Sequence, residues 1–164
     1  MIKPSKPKIN FPIQPVLAIG FLVILLSLFS CKSRNKYSLS NLPEDYVTFG
    51  HYGGFTGASS TYYIFENGQA FLYESLTKTS DTLQRLKKLV AKEIFKEVNR
   101  SKVKELKMNE PGNMSYFIAV HNGKEKHEVV WGRHGAEAPE QLKTLNQLMV
   151  DAITKSNLKN EEKK

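Results

Sequence analysis

The sequence contains two Asn-Gly pairs, each set between runs of strand-forming residues. Asn67-Gly68 lies within TYYIFENGQAFLYES, and Asn122-Gly123 lies between SYFIAV and EKHEVVW. Asn-Gly is favoured where a tight hairpin turn needs positive φ, and the flanking β-branched and aromatic residues favour strands. The sequence therefore predicts two antiparallel hairpins. Two opposed pairs define the register expected in the second: Ile118 with His127, and Tyr116 with Val129.

An amphipathic helix is predicted between the hairpins, and another after them. Ser80 or Asp81 is placed to cap the first, and Gln84 could complete a capping box with Asp81. Its apolar residues recur at a spacing of three and four: Leu83, Leu86, Val90, Ile94 and Val98. The second begins near Pro139, and its apolar face comprises Leu142, Leu145, Met149, Ala152 and Ile153. The predicted fold is α+β: an antiparallel sheet of two hairpins with two helices packed on it, in the order strands, helix, strands, helix.

The net charge of +8 lies outside the part of the chain that is expected to fold. Residues 1–36 hold six Lys and Arg and no acid, residues 37–154 hold fourteen basic and fourteen acidic groups, and the remainder holds four and two. A basic excess usually indicates an anionic partner such as nucleic acid. Because the expected domain is neutral, we predict no nucleic-acid partner.

Residues 1–30 have the features of a secretory signal peptide. Lys3, Lys6 and Lys8 precede an apolar run from Val16 to Phe29, which gives the basic and apolar regions of such a signal. The run is shorter than the roughly 20 apolar residues that a membrane-spanning helix needs. We therefore predict a signal peptide over residues 1–30, with an uncleaved anchor as the alternative.

The only cysteine directly follows this apolar run, in the segment LSLFSC. Leu28, Ser30 and Cys31 make the segment resemble the lipobox of bacterial lipoproteins, whose cysteine receives lipid. The resemblance implies that Cys31 is lipidated and that the protein is anchored to a membrane of the bacterial cell envelope. More than one acyl chain would make this anchoring stable. By the same resemblance, the lack of acidic residues just after Cys31 favours a domain that faces the periplasm. The alternative to lipidation is that Cys31 is a free thiol near a membrane.

The residues from Cys31 onward divide into three further segments. Residues 31–42 are polar and carry Lys32, Arg34 and Lys36, as is typical of a flexible tether. Residues 43–155 are expected to form a single α+β domain, and residues 156–164 a disordered polar tail. Because Cys31 is the only cysteine, no internal disulfide can form, and the core alone must stabilise the domain.

The sequence lacks the motifs that indicate catalysis or cofactor binding. HEVVW begins like the zinc-protease motif HExxH, but Trp131 stands where the second histidine would be. The other histidines lack the spacing of metal ligands: His51, His121 and His134. There is no GxSxG, GxGxxG or phosphate-binding loop. We therefore predict that the protein is not an enzyme and has no catalytic residue, metal, cofactor or nucleotide.

The stretch HYGGFTGASS is the candidate partner-binding segment. Its glycines permit positive φ between two strands, which could hold Phe55 at the tip of a tight loop. The residues proposed to bind a partner are Gly53, Gly54, Phe55, Thr56 and Gly57. The alternative is that Phe55 folds back onto the core and the loop is only a turn.

The pattern over Val47 to Ile153 resembles emfourin, a small bacterial inhibitor of thermolysin-like metalloproteases, and its relatives. The glycine loop carries the resemblance, together with further short matches: the leucine-rich helix ending near Phe95, Tyr116-Phe117-Ile118, His127-Glu128-Val129, and the Pro139 helix with Leu142 and Leu145. The chain departs from emfourin in its lipobox, in an extra strand from Ala70 to Ser75, and in the pair Trp131-Gly132. The resemblance implies that the loop binds a protein partner.

Two functions follow as hypotheses from these observations. In the first, the chain is a membrane-anchored envelope lipoprotein that acts as a protein-binding module of the protease-inhibitor type, with a metalloprotease or another envelope protein as its partner. In the second, it has a structural or assembly role in the cell envelope, without inhibitory activity, and uses its sheet face or helices. The first predicts that binding depends on Phe55, whereas the second predicts that it does not.

Overall fold

Six antiparallel strands and two helices form the part of the chain that the computed structural model describes, residues 37–161, with side chains to Asn157. The strands are β1 (Asp45–Gly53), β2 (Ala58–Phe65), β3 (Ala70–Glu74), β4 (Thr79–Thr82), β5 (Met114–Asn122) and β6 (Glu125–Trp131). The helices are α1 (Lys88–Arg100) and α2 (Glu140–Glu161), and a 3₁₀ turn covers Val103–Glu105. The predicted α+β class is confirmed.

The strands form one open sheet in the order β4-β3-β2-β1-β5-β6, and every neighbouring pair is antiparallel. The central strand β1 pairs with β2 on one side and with β5 on the other, so that Phe49 lies between Tyr62 and Ile118. The predicted antiparallel sheet is thus present. It is wider than two hairpins, because β1 joins them and β4 extends the edge.

The main hydrophobic core lies between one face of this sheet and the two helices. Because side chains alternate across a strand, Val47 and Phe49 point to the same face of β1. Buried side chains from the sheet and both helices form one cluster on this face, which includes Val47, Phe49, Ile64, Ile118, Val129, Ile94, Val98, Leu142, Leu145 and Met149. Both helices therefore pack on this face and leave the other face to a separate row of aromatic and polar residues.

Both Asn-Gly pairs lie in turns between paired strands, but the register predicted for the second is wrong. Ile118 lies opposite Val129, and Tyr116 lies opposite Trp131. The predicted pairs centre the turn on Asn122 and Gly123, whereas Asn122 pairs with Glu125 and the turn consists of Gly123 and Lys124. Gly123 has a φ of 58°, as suits the first central position of a type II′ turn. Moving the centre of the turn by one residue shifts every opposed pair by two residues.

The first helix begins later than predicted, and the expected capping box is wrong. Thr79–Thr82, including Ser80 and Asp81, form β4, with Asp81 opposite Leu72. The backbone continues extended, since the Leu83 N–H donates to the Ala70 carbonyl at 3.0 Å. α1 then starts at Lys88, and the residue before it, Lys87, gives no side-chain cap. Pairing with β3 satisfies the backbone N–H and C=O groups of Thr79–Thr82, which would otherwise need hydrogen bonds within a helical turn.

The described elements and contacts include residues on both sides of the predicted range 43–155. Tyr37, placed by sequence in the tether, packs its ring on Phe65 at a centroid distance of 5.6 Å. The Gln69 side chain accepts a bond from the Tyr37 N–H at 3.2 Å and donates to its carbonyl at 3.1 Å. These contacts join Tyr37 to Phe65 of β2 and to Gln69 before β3. At the other end α2 continues past Lys155 to Glu161, so its last turns include residues predicted as tail.

Candidate functional site

The predicted binding loop connects β1 to β2 and is held by backbone hydrogen bonds. Gly53 ends β1 with a φ of 116°, and Gly54 and Gly57 have φ of 67° and 62°, where glycine is favoured. The Gly54 N–H donates to the Asn113 carbonyl at 2.7 Å, which ties the loop to the residue before β5. The Ala58 N–H donates to Thr56 Oγ1 at 3.3 Å. The loop therefore has a defined conformation that these glycines make possible.

Phe55 stands at the tip of this loop and is fully exposed, with a relative accessibility of 107%. The alternative in which Phe55 folds back onto the core is therefore wrong. Burying a phenylalanine side chain is worth roughly 1.5–3 kcal/mol relative to leaving it in water. The loop thus holds in solvent an apolar group that a partner could cover at a gain in free energy.

Further exposed apolar side chains lie at the same end of the sheet as Phe55. Met114 starts β5 beside Gly53, and Tyr116 follows it opposite His51. Leu76 lies in the turn after β3, where the neighbouring Ser75 N–H donates to the Ser59 carbonyl of β2 at 2.9 Å. We call this surface the loop end, and define it by four residues: Phe55, Leu76, Met114 and Tyr116. Within the described chain only two other large apolar side chains are exposed, Leu89 and Val150 on the helices.

An open groove of about 640 Å³ adjoins the loop end. One wall is formed by Met114, Tyr116 and Trp131, with the Tyr116 and Trp131 rings stacked at 6.0 Å and 22°. Arg133 lies at the groove and donates to Glu110 at 2.7 Å, and Lys143 donates to Glu137 at 3.1 Å. The groove is thus apolar on its sheet side, with paired charges on the side formed by the chain after β6.

The sheet face opposite the helices carries a stack of rings from three neighbouring strands. Tyr46 stacks on His121 at 4.0 Å and 8°, and on Tyr63 at 6.2 Å and 23°. Thr48 Oγ1 lies 3.4 Å from His121 Nε2. Burial lowers the pKa of His121, Lys126 lowers it further, and Glu128 acts against both. Burial also raises the pKa of Tyr46. Burial in the stack therefore favours the neutral forms of His121 and Tyr46.

Two further histidines, His127 and His51, lie on strands. His127 lies in β6, and its Nε2–H donates to the Leu106 carbonyl at 2.9 Å, which ties the segment after α1 to the sheet edge. His51 lies in β1 with its ring 6.3 Å from that of Tyr116. Among residues 37–161, no three His, Cys, Asp or Glu residues come together as a metal site requires.

The predicted lipidation site, Cys31, and the signal peptide lie outside the described residues. Within the described range, neither helix has the length and apolar character needed to span a bilayer. The anchoring of the chain therefore remains a prediction from the residues around Cys31.

Comparison with protein-family models and with curated proteins gives no match to this chain. The resemblance to emfourin thus remains a prediction from short motifs.

Sequence reasoning found the loop but not the residues that accompany it. Met114, Leu76 and Tyr116 reach the loop end only because β5 and β3 flank the β1–β2 pair. The incorrect register placed Tyr116 opposite Val129 and concealed its stacking on Trp131. Tyr116 and Trp131 are both large aromatic residues on strands, so the correct position of the turn would have revealed the pair.

Proposed function

We propose that this protein is a membrane-anchored envelope lipoprotein whose domain binds another protein through the β1–β2 loop. Lipid on Cys31 attaches the chain to the membrane, and the domain faces the periplasm. Gly53, Gly54, Phe55, Thr56 and Gly57 form the binding segment, and the domain acts by binding rather than by catalysis. The partner is a metalloprotease or another envelope protein, and the mode of action is that of a protease inhibitor.

The exposure of Phe55 on a braced loop is the observation that carries the proposal. Interface energy is concentrated in a few aromatic side chains that fill pockets on the partner. The bond from Gly54 to Asn113 and the positive φ of the glycines hold the tip before binding occurs, so little conformational entropy is lost when a partner binds. Met114 and Tyr116 add exposed apolar area beside the tip.

We also propose a specific order of elements for the α+β fold. The hairpins β2–β3 and β5–β6, together with α1 and α2, form the frame in the order strands, helix, strands, helix. This is the order implied by the resemblance to emfourin. In that frame β1 is the strand that presents the loop.

An inhibition assay tests whether the partner is a metalloprotease. The chain, solubilised in detergent, is titrated against a thermolysin-like enzyme, with Phe55→Ala as the variant and Leu89→Ala as the matched control, because Leu89 is also exposed but lies on α1. The proposal predicts inhibition that Phe55→Ala weakens by about thirtyfold, or about 2 kcal/mol, and that Leu89→Ala leaves intact. An absence of inhibition by the native chain would exclude this class of partner.

The structural or assembly role is the second candidate function, and the ring stack on the other sheet face favours it. Tyr46, Tyr63 and His121 lie beside a groove of about 490 Å³ that could receive a neighbouring envelope protein. Affinity capture from the envelope distinguishes the two. Proteins captured equally by the native chain and by Phe55→Ala, but lost with Tyr63→Ala, would favour this second role.

A further inference from the structure

The outer face of α1 carries a row of lysines. Lys88, Lys92 and Lys96 are spaced four residues apart, so they lie along one side of the helix. All three are exposed, whereas Ala91, Ile94 and Val98 form the buried side. Leu89, on the same outer face, is 81% exposed. The lysine row, defined as Lys88, Lys92 and Lys96, is thus a cationic surface with one apolar side chain beside it.

Part of this charge has no ion-pair partner among the described side chains. Lys96 lies 3.8 Å from Glu93, and Arg100 is paired with Glu97. Within residues 37–157, neither Lys88 nor Lys92 makes an ion pair. Lys87, just before α1, also makes none and is exposed. The first half of α1 therefore presents positive charge that an external anionic surface could neutralise.

The lysine row lies beside the point at which the described chain begins. Tyr37 lines a groove of about 880 Å³ together with the lysine row and Asp45, the first residue of β1. Cys31 precedes Tyr37 by six residues, which span at most about 20 Å when extended. A bilayer that held lipid on Cys31 would thus lie within about 20 Å of this groove.

This surface and the loop end lie at opposite ends of the sheet. β1 runs from Asp45, beside the lysine row, to Gly53, at the base of the Phe55 loop. Eight steps of an antiparallel strand cover about 27 Å. A domain that rested on a membrane through α1 would therefore hold Phe55 away from the bilayer.

The same groove is also lined by carboxylates, so the cationic surface is limited to α1. Glu44, Asp45 and Glu66 lie in or next to β1 and β2, whereas the lysine row lies on α1. An anionic bilayer would repel these groups and attract α1. The domain is therefore expected to rest on the α1 side of the groove rather than squarely on the end of the sheet.

We propose that the lysine row of α1 docks on the anionic headgroups of the membrane that anchors the chain, and so points the Phe55 loop toward its partner. This inference rests on the proposed lipid anchor. Each lysine brought to an anionic surface strengthens binding by about fivefold, so three together supply about a hundredfold. Leu89 adds an apolar side chain that can enter the interfacial layer.

Amine labelling of the full chain on vesicles tests this orientation. The purified chain is reconstituted into vesicles of phosphatidylcholine alone or of phosphatidylcholine with phosphatidylglycerol, labelled with an amine-reactive reagent and analysed by mass spectrometry. Lys78 and Lys143 serve as internal controls, because Lys78 lies in the turn after Leu76 and Lys143 lies at the groove beside Met114. We expect phosphatidylglycerol to slow labelling of the lysine row several-fold and to leave both controls unchanged. Near 1 M salt, where screening acts over about 3 Å, the protection should disappear.

A pair of matched variants shows whether the row itself is responsible. Lys88→Gln with Lys92→Gln leaves Lys96 as reporter, and its protection should fall. Lys78→Gln with Lys143→Gln should leave that protection intact. Equal labelling of the row in both kinds of vesicle, or protection of Lys78 and Lys143 instead, would overturn the proposal.

Two further measurements separate this docking from the proposed function. Flotation with neutral vesicles reports the lipid anchor alone, so a chain that floats but has an unprotected lysine row keeps the anchor and loses the docking. The Phe55→Ala variant should retain full protection of the row, because loop and row lie at opposite ends of β1. Loss of protection in that variant would contradict the proposed orientation.

Discussion

At the scale of single residues, Gly53 and Gly57 bound the β1–β2 loop and have different surroundings. A Cβ on Gly53 would overlap the backbone carbonyl of Asn113, whereas one on Gly57 would meet no atom within 4 Å. Both have positive φ, which costs a residue with a side chain about 1–2 kcal/mol. We expect Gly57→Ala to lower the free energy of unfolding by about 1 kcal/mol and Gly53→Ala by about 3 kcal/mol. Urea unfolding measures both, and equal losses would show that the loop is not braced on Asn113.

His121 makes stability depend on pH in a predictable direction. Burial, aided by Lys126 and opposed by Glu128, lowers its pKa in the folded protein below the ordinary value of 6.5. The unfolded chain therefore binds the proton first as pH falls. The stability contributed by neutral His121 is complete above about pH 6.5 and is lost as pH falls from there through the folded pKa. His121→Phe retains a ring against Tyr46 but binds no proton.

Unfolding measured between about pH 7 and pH 5 tests this effect of His121. The native chain should lose stability more steeply on acidification than His121→Phe does, because the carboxylates titrate in both proteins and cancel in the comparison. Parallel curves would contradict the inferred burial of His121.

At the scale of elements, the start of α1 can be improved by one substitution. Lys87 precedes the helix with φ of −59° and ψ of 138°, and its side chain caps no backbone N–H. A serine there could accept such a bond and would remove a positive charge from the positive end of the helix dipole. Lys87→Ser is expected to raise the free energy of unfolding by about 1 kcal/mol.

Asp81→Ala is the control for this change at Lys87. As an exposed edge-strand residue Asp81 should tolerate alanine within about 0.5 kcal/mol. A loss of about 1 kcal/mol, with no gain from Lys87→Ser, would instead place the helix start where the sequence suggested.

The elements predicted correctly are those whose local pattern agrees with their long-range pairing. Strands flank Asn67-Gly68 and Asn122-Gly123, and α2 begins directly after Pro139. The predicted start of α1 was wrong because Thr79–Thr82 pair with β3 as strand β4, although Ser80 and Asp81 could also have capped a helix. Local propensity does not predict whether these residues pair as a strand or form a helical turn, because strand formation depends on the neighbouring strand.

At the scale of the whole molecule, the order of the strands decides which surfaces come together. Sequence indicated the glycine loop and its phenylalanine, but the loop end also needs Met114 from β5 and Leu76 from the turn after β3. These positions are separated along the chain and meet only through pairing across β1 and β2. The lysine row and Tyr37 lie beside Asp45, at the opposite end of β1. The periodicity of the sequence does not predict which residues meet at the loop end, nor how far that surface lies from the lysine row.

Photo-crosslinking in the intact envelope tests the role of Phe55 most directly. A photoreactive amino acid replaces Phe55 in one full-length chain and Val150 in another, since Val150 is exposed on α2 away from the loop end. If the Phe55 loop binds the partner, the reagent at position 55 should capture a defined protein and the reagent at position 150 should not. A tenfold excess of native chain should compete for that protein and reduce its capture. If position 55 captured no protein, or if only position 150 captured the partner, the loop would not be the binding site.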